Sequence, residues 1–132
     1  MAGYRVVKTD AEWKRTLPPF TYAVLRQAAT ERPFSSPLDE EKRAGLYRCA
    51  GCDWPLYASK DKFDSGTGWP SFVRPLNAQA VDYQRDTSLL MVRTAVSCAN
   101  CGGHLGHVFD DGPPPTGKRY CMNGVAMRFI PT

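Results

Sequence analysis

Five cysteines carry the chemistry this 132-residue chain is equipped for: Cys49, Cys52, Cys98, Cys101 and Cys121. Four of them form two Cys-x-x-Cys pairs, Cys49-Ala50-Gly51-Cys52 and Cys98-Ala99-Asn100-Cys101. Two intervening residues close a tight turn that aims both sulfurs at one point, and two such turns supply four thiolates at tetrahedral positions around Zn²⁺. Ala50, Gly51, Ala99 and the following Gly102-Gly103 are small enough for those turns. Soft thiolates select zinc or iron over hard cations. With 45 residues between Cys52 and Cys98, the metal would clamp two distant hairpins. The alternatives are buried free thiols or two redox pairs. A redox Cys-x-x-Cys usually opens a helix in an α/β unit, a context neither pair has. Structural zinc held by Cys49, Cys52, Cys98 and Cys101 is the expectation.

Cys121 is left over. In Gly117-Lys118-Arg119-Tyr120-Cys121-Met122-Asn123 the alternation reads as a strand, and period-2 geometry puts Arg119, Cys121 and Asn123 on one face. A neighbouring guanidinium favours the thiolate, the reactive form of cysteine, and an amide beside it can orient substrate or water. A cysteine that merely packs in the core is the alternative. The only two histidines, His104 and His107, follow the second cysteine pair. Tethered to a rigid clamp they are proton donors near neutral pH, or simply surface or hydrogen-bonded core residues. In Phe63-Asp64-Ser65-Gly66-Thr67-Gly68-Trp69-Pro70-Ser71-Phe72 the glycines let a loop present Trp69 openly, and an indole face suits a methyl or sulfur group. The alternative is that Trp69 and Phe72 are core.

These residues need a scaffold. Eleven Gly and eleven Pro imply many turns and short elements, which favours a loop-rich, mainly β fold. Thr9 or Asp10 caps a short helix through Lys14, ended by Pro18-Pro19. Thr21 to Ala29 is a second helix, with Tyr22, Leu25 and Ala29 on one face. Residues 31–37 read as an extended connection and 39–43 as a solvated turn or short helix. Strands are expected at 46–49, 55–57, 71–76, 80–85, 89–97, 107–110 and 119–130. The result is a single α+β domain over 1–132: a helical segment, 1–45, packed on a mainly β, antiparallel core, 46–132.

Composition narrows the class. Apolar residues at 42% and charged residues at 23% are globular values, which argues against disorder. No stretch reaches the roughly 20 apolar residues of a membrane span, and Met1-Ala2-Gly3-Tyr4-Arg5 lacks the apolar core of a signal peptide. A soluble cytoplasmic protein is expected. The net charge of +4 falls by two once four thiolates hold one Zn²⁺, which weakens any nucleic-acid reading.

Taken together, the two cysteine pairs, residues 65–72, His104-Leu105-Gly106-His107-Val108-Phe109 and Arg119-Tyr120-Cys121-Met122-Asn123 resemble the peptide-methionine (R)-S-oxide reductases, the MsrB family. The similarity extends to Tyr22-Ala23-Val24-Leu25-Arg26 and Thr30-Glu31-Arg32-Pro33-Phe34 and spans about Trp13 to Pro131 in order. The resemblance implies two antiparallel sheets with short N-terminal helices and a zinc site away from the active site. It implies Cys121 as nucleophile, Trp69 as the pocket for the substrate methyl group with Phe72 beside it, and Arg119 as a stabiliser of the thiolate. His104, His107 and Asn123 would hold water and assist proton transfer. The implied reaction reduces the R epimer of methionine sulfoxide through a Cys121 sulfenic acid, regenerated by thioredoxin or another external thiol. Many members carry a second cysteine where Thr67 stands. With four cysteines on zinc and one for chemistry none is spare, so an external thiol is expected to act directly. The competing class is a non-catalytic zinc-binding interaction module, which has no need of Cys121, the His pair or an open Trp69.

Overall fold

The computed structural model describes residues 4–132, apart from the Leu89 side chain; Met1 to Gly3, read above for the lack of a signal segment, lie outside the described residues. Helix α1, Asp10–Thr16, opens with a capping box in which the Thr9 hydroxyl accepts from the Glu12 amide and the Glu12 carboxylate accepts from the Thr9 amide. Helix α2, Pro19–Gln27, starts two residues earlier than expected. Proline fits there because the first helical turn needs no N–H donor. α2 buries Tyr22, Val24 and Leu25, and a 3₁₀ turn spans Pro37–Glu40.

Nine strands follow in two antiparallel sheets. They are β1 Gly45–Cys49, β2 Pro55–Ala58, β3 Lys62–Phe63, β4 Ser71–Phe72, β5 Val81–Asp86, β6 Arg93–Cys98, β7 His104–Phe109, β8 Arg119–Met122 and β9 Met127–Pro131. The smaller sheet has the order β2-β1-β9 and the larger β3-β4-β8-β7-β6-β5. The fold is thus α+β and mainly β. Among the described residues no helix is long and apolar enough to cross a membrane.

Between the sheets lies an aromatic core. Tyr57 stacks on Phe72 with ring centroids 4.3 Å apart, Tyr47 meets Phe72 edge-on at 5.0 Å, and the Tyr57 hydroxyl donates to the Met122 sulfur at 3.3 Å.

Four expected strands change, and β3 has no counterpart among the expected ones. The 107–110 strand already begins at His104 and ends at Phe109. The 71–76 strand stops at Phe72, because the Val73 amide turns to the Asp61 carbonyl and the Leu76 amide to the Leu56 carbonyl. The 89–97 strand begins only at Arg93, since Ser88–Leu90 is the 3₁₀ turn of the β5–β6 hairpin. The 119–130 strand breaks at Asn123, whose amide donates to the Leu105 carbonyl. After a 3₁₀ turn at Gly124–Ala126 the chain crosses from the larger sheet to the smaller as β9. This crossover lies directly beyond Cys121.

Candidate functional site

Each cysteine pair folds into its own hairpin, and the two hairpins carry the same hydrogen bonds. Cys49 donates its amide to the Trp54 carbonyl and accepts from Asp53; Cys98 donates to Gly103 and accepts from Gly102, all at 2.8 Å. The residue after each pair is left-handed, Asp53 at φ 69° and Gly102 at φ 77°. Glycine takes this conformation without penalty and aspartate tolerates it. Gly51 and Gly103 donate their amides to the Cys49 and Cys101 sulfurs, each at 3.4 Å. The four ligand sulfurs lie within 4.8 Å of one another, with Cys49–Cys101 at 3.8 Å and Cys52–Cys98 at 3.5 Å. That is the spacing of four ligands around one metal ion. Leu25 of α2 packs against both hairpins, and the Arg26 guanidinium donates to the Cys101 carbonyl at 2.9 Å.

The clamp is bonded into the second region of interest. Cys49 lies opposite Met127 at the start of β9, and the Ala50 amide donates to Ala126 in the crossover turn at 2.8 Å. The second hairpin feeds directly into β7.

Sheet register assembles the rest. Ser71, Cys121, His107, Ala95 and Gln84 form one continuous row across β4, β8, β7, β6 and β5. Directly opposed residues share a face, with Cβ atoms about 5 Å apart. Two residues along, Arg119 opposes Phe109 and Arg93 opposes Asp86. A cavity of about 310 Å³ opens on this face, lined by Cys121, His107, Arg119, Trp69, Asn123 and Thr67, among others.

Each side chain is held. Asp86 accepts from His107 Nε2 at 2.8 Å and from Arg93 Nη2 at 3.2 Å. The His107 contact, with help from Ser88, keeps the Asp86 carboxyl well below the usual carboxylate range. Arg119 lies 4.4 Å over the Phe109 ring and bonds Asp111 with two nitrogens, at 2.9 and 3.1 Å. Burial pushes the Cys121 thiol above its ordinary value, while the Arg119 charge and the Thr67 hydroxyl pull it down. A chain of hydroxyls, Ser71 to Ser65 at 2.7 Å and Ser65 to Thr67 at 2.8 Å, backs that corner. The Trp69 indole N–H donates to the Glu31 carbonyl at 3.0 Å. Gly68 makes this possible: at φ 91° its missing Cβ would lie 2.7 Å from the Phe34 amide nitrogen.

Of the expected site residues, Cys121, His107, Arg119, Asn123 and Trp69 line the cavity, and Phe72 and His104 do not. Phe72 is fully buried on the opposite face, since it neighbours Ser71 and strand parity turns it into the Tyr57–Tyr47 core; it is no substrate wall. His104 is set back from the cavity, edge-on to His107 with ring centroids 5.4 Å apart. Burial pushes its pKa down to about 4. Asn123 lies beyond the end of its strand, not on it. Its amide is committed to the scaffold, donating to the Leu105 carbonyl and accepting from the Glu31 amide, both at 3.0 Å. Arg119 favours the Cys121 thiolate, against the larger effect of burial.

Thr30 and Arg93 also line the cavity and Asp86 stands behind His107, roles that the sequence reading did not assign to them. The one available cue was Asp86 and Arg93 flanking a short hairpin turn at the rim of the His-bearing face.

The fold and the arrangement around Cys121 define a class, and the SelR domain profile matches residues 17–131. The chain belongs to that family. It is 56% identical over 127 residues to the peptide methionine sulfoxide reductase MsrB of Agrobacterium fabrum, covering 96% of this chain and 94% of the relative. The MsrB of Bradyrhizobium diazoefficiens is 55% identical (96% and 91% covered) and that of Methanosarcina barkeri 53% (98% and 91%).

Proposed function

We propose that this chain reduces the R epimer of methionine sulfoxide in peptides and proteins to methionine, with Cys121 as nucleophile. The observation that carries the reading is the shared cavity: the one cysteine outside the clamp lies opposite His107 and beside Trp69. The names of its relatives support the same reaction. A non-catalytic module has no use for that convergence.

The substrate methyl group sits on the Trp69 indole and the sulfoxide oxygen points toward His107. With methyl and oxygen held and the Cys121 sulfur approaching from a fixed side, the rest of the peptide must leave toward solvent, and these three constraints admit one epimer. The Cys121 sulfur attacks the sulfoxide sulfur as its thiolate, a form that Arg119 and Thr67 favour against burial. The oxygen is a poor leaving group until protonated, and His107, held by Asp86, supplies the proton. In net terms the substrate sulfur gains two electrons and departs as the thioether. Cys121 loses them and keeps the oxygen as a sulfenic acid. Two external thiols then return Cys121 to its thiol, releasing water and their own disulfide; a thioredoxin-type dithiol fits this role. Thr67, where a resolving cysteine would stand, offers only a hydroxyl.

Zinc is the metal we assign to the clamp. A ZnS₄ tetrahedron with bonds of about 2.3 Å has edges of about 3.8 Å, close to the sulfur separations of 3.8 and 3.5 Å. Zinc bound there supplies structural bracing. All five cysteines are free of disulfides, which suits a reducing, cytoplasmic setting.

The test is a turnover assay on separated R and S epimers of a peptide methionine sulfoxide with excess dithiothreitol. Turnover of the R epimer alone is expected. Turnover of neither, or of S in preference, defeats the reading.

A further inference from the structure

We propose that Glu31 is a positioning residue of this site: its buried carboxyl group fixes the Trp69 indole and the Asn123 amide relative to one another. The inference rests on the reductase reading above. Trp69 arrives from the loop before β4 and Asn123 from the end of β8, yet both bond to the backbone of Glu31. Its carbonyl accepts from the indole N–H and its amide donates to the Asn123 side chain, each at 3.0 Å. Its side chain passes away from the cavity and grips the crossover turn, where Oε1 accepts from the Val125 amide at 2.9 Å. Gly124 packs against the same carboxyl group: a Cβ there would stand 3.5 Å from Glu31 Oε2 and 2.0 Å from the Ser36 hydroxyl. One residue therefore links the methyl-binding wall, the amide wall and the turn that ends β8.

Glu31 is only 2% exposed, and Oε2 is buried with no hydrogen-bond partner. Burying a carboxyl group with an unsatisfied oxygen is unfavourable, so stability alone does not account for glutamate here. Burial also raises its pKa, as expected for a carboxyl group kept from water. What glutamate supplies is reach. Its length spans from the 30–31 connection to the Val125 amide, and a shift of that contact moves both walls. Placement of the sulfoxide against the Cys121 sulfur depends on their separation, and a misplacement of about 1 Å can cost on the order of a hundredfold.

The experiment compares zinc-loaded wild type with Glu31→Gln, Glu31→Asp and Glu31→Ala. It measures kcat and KM on a methionine-R-sulfoxide peptide with dithiothreitol, and the rate of iodoacetamide alkylation at Cys121, read by peptide mass spectrometry. Glu31→Ala is expected to raise KM about tenfold or more with kcat changed less than about threefold. Alkylation of Cys121 should stay within about twofold, because the thiol itself is not displaced. Glu31→Gln, which keeps length and an acceptor, should restore KM to within about threefold of wild type. Glu31→Asp, one methylene short, should behave like the alanine variant, and it carries the test alone if Glu31→Ala does not fold. An unchanged KM in Glu31→Asp overturns the proposal. So does a loss of kcat at constant KM that tracks the fraction of folded protein. Wild type without turnover would remove the reductase reading itself, whereas active wild type with an indifferent Glu31→Asp removes only the role of Glu31.

Discussion

Cys98 and Cys121 are the same side chain on two strands of one sheet, and their surroundings give them opposite properties. Cys98 is fully buried, faces the Cys52 sulfur at 3.5 Å and stands in a hairpin closed by its own amide bonds to Gly102 and Gly103. Cys121 is half-buried, faces no other sulfur, and opens on a cavity shared with a guanidinium, an imidazole and an indole. A sulfur surrounded by three others is saturated once a metal arrives and becomes scaffold. A sulfur alone beside a cavity, with its charge supported by Arg119 and opposed by burial, is left available for reaction. The two regions are nonetheless mechanically joined. One hairpin holds the crossover turn through the Ala50 to Ala126 hydrogen bond, and the other starts the strand that carries His107.

The sharpest break in this comparison is removal of one clamp sulfur. Cys101→Ser takes away a ligand that Arg26 and α2 pack around. Structural zinc sites contribute on the order of 10 kcal/mol, as much as the whole stability of a typical domain. Stoichiometric zinc in wild type, a metal-poor Cys101→Ser and a collapse of its thermal transition are expected, from metal analysis and calorimetry. A fully stable variant without metal would show that the hairpins hold each other unaided.

Cys121→Ser comes next, and it should separate the regions cleanly. Oxygen is a far weaker nucleophile toward sulfur than a thiolate, so turnover should fall by at least about a thousandfold. Zinc content and melting temperature should stay at wild-type values, because the sulfur takes no part in the clamp. Substantial residual turnover would move the chemistry to another group.

The unequal legibility of the two regions follows from the range of their contacts. Each hairpin of the clamp is written in six consecutive residues, from Cys49 to Trp54 and from Cys98 to Gly103, so spacing and small residues disclose it. Capping by Thr9 is equally local. The cavity is built across strands. The opposition of Cys121 to His107 depends on register between residues fourteen positions apart, and Asp86 reaches His107 only because the β5–β6 hairpin folds back beside β7. Phe72 was misplaced for a reason of parity: β4 is two residues long, so a one-residue difference separates the cavity face from the core. The long 119–130 alternation concealed a change of sheet, because the Gly124–Ala126 turn disturbs the apolar pattern too little to be seen. Glu31 lies in a Pro-containing connection that shows no periodicity, and the groups it bonds to lie 38 to 94 residues away.

The finest test concerns how the Cys121 thiol is balanced. Burial raises its pKa and the Arg119 charge is the largest opposing influence. Arg119 is itself bound at two points by the exposed carboxylate of Asp111. Alkylation of Cys121 by iodoacetamide follows the thiolate fraction, so its rate should climb with pH through and above the ordinary thiol range. Arg119→Ala removes the charge that favours the thiolate, so the profile should move to higher pH, and kcat/KM at neutral pH should fall about tenfold. Asp111→Asn releases the guanidinium from its partner, so the profile should move the other way, with a gain in rate below about threefold. Opposite displacements would show that the site holds its sulfur by competition between one cation and one anion. If both variants shift the profile alike, the Asp111 contact serves only to fix the Arg119 side chain over Phe109.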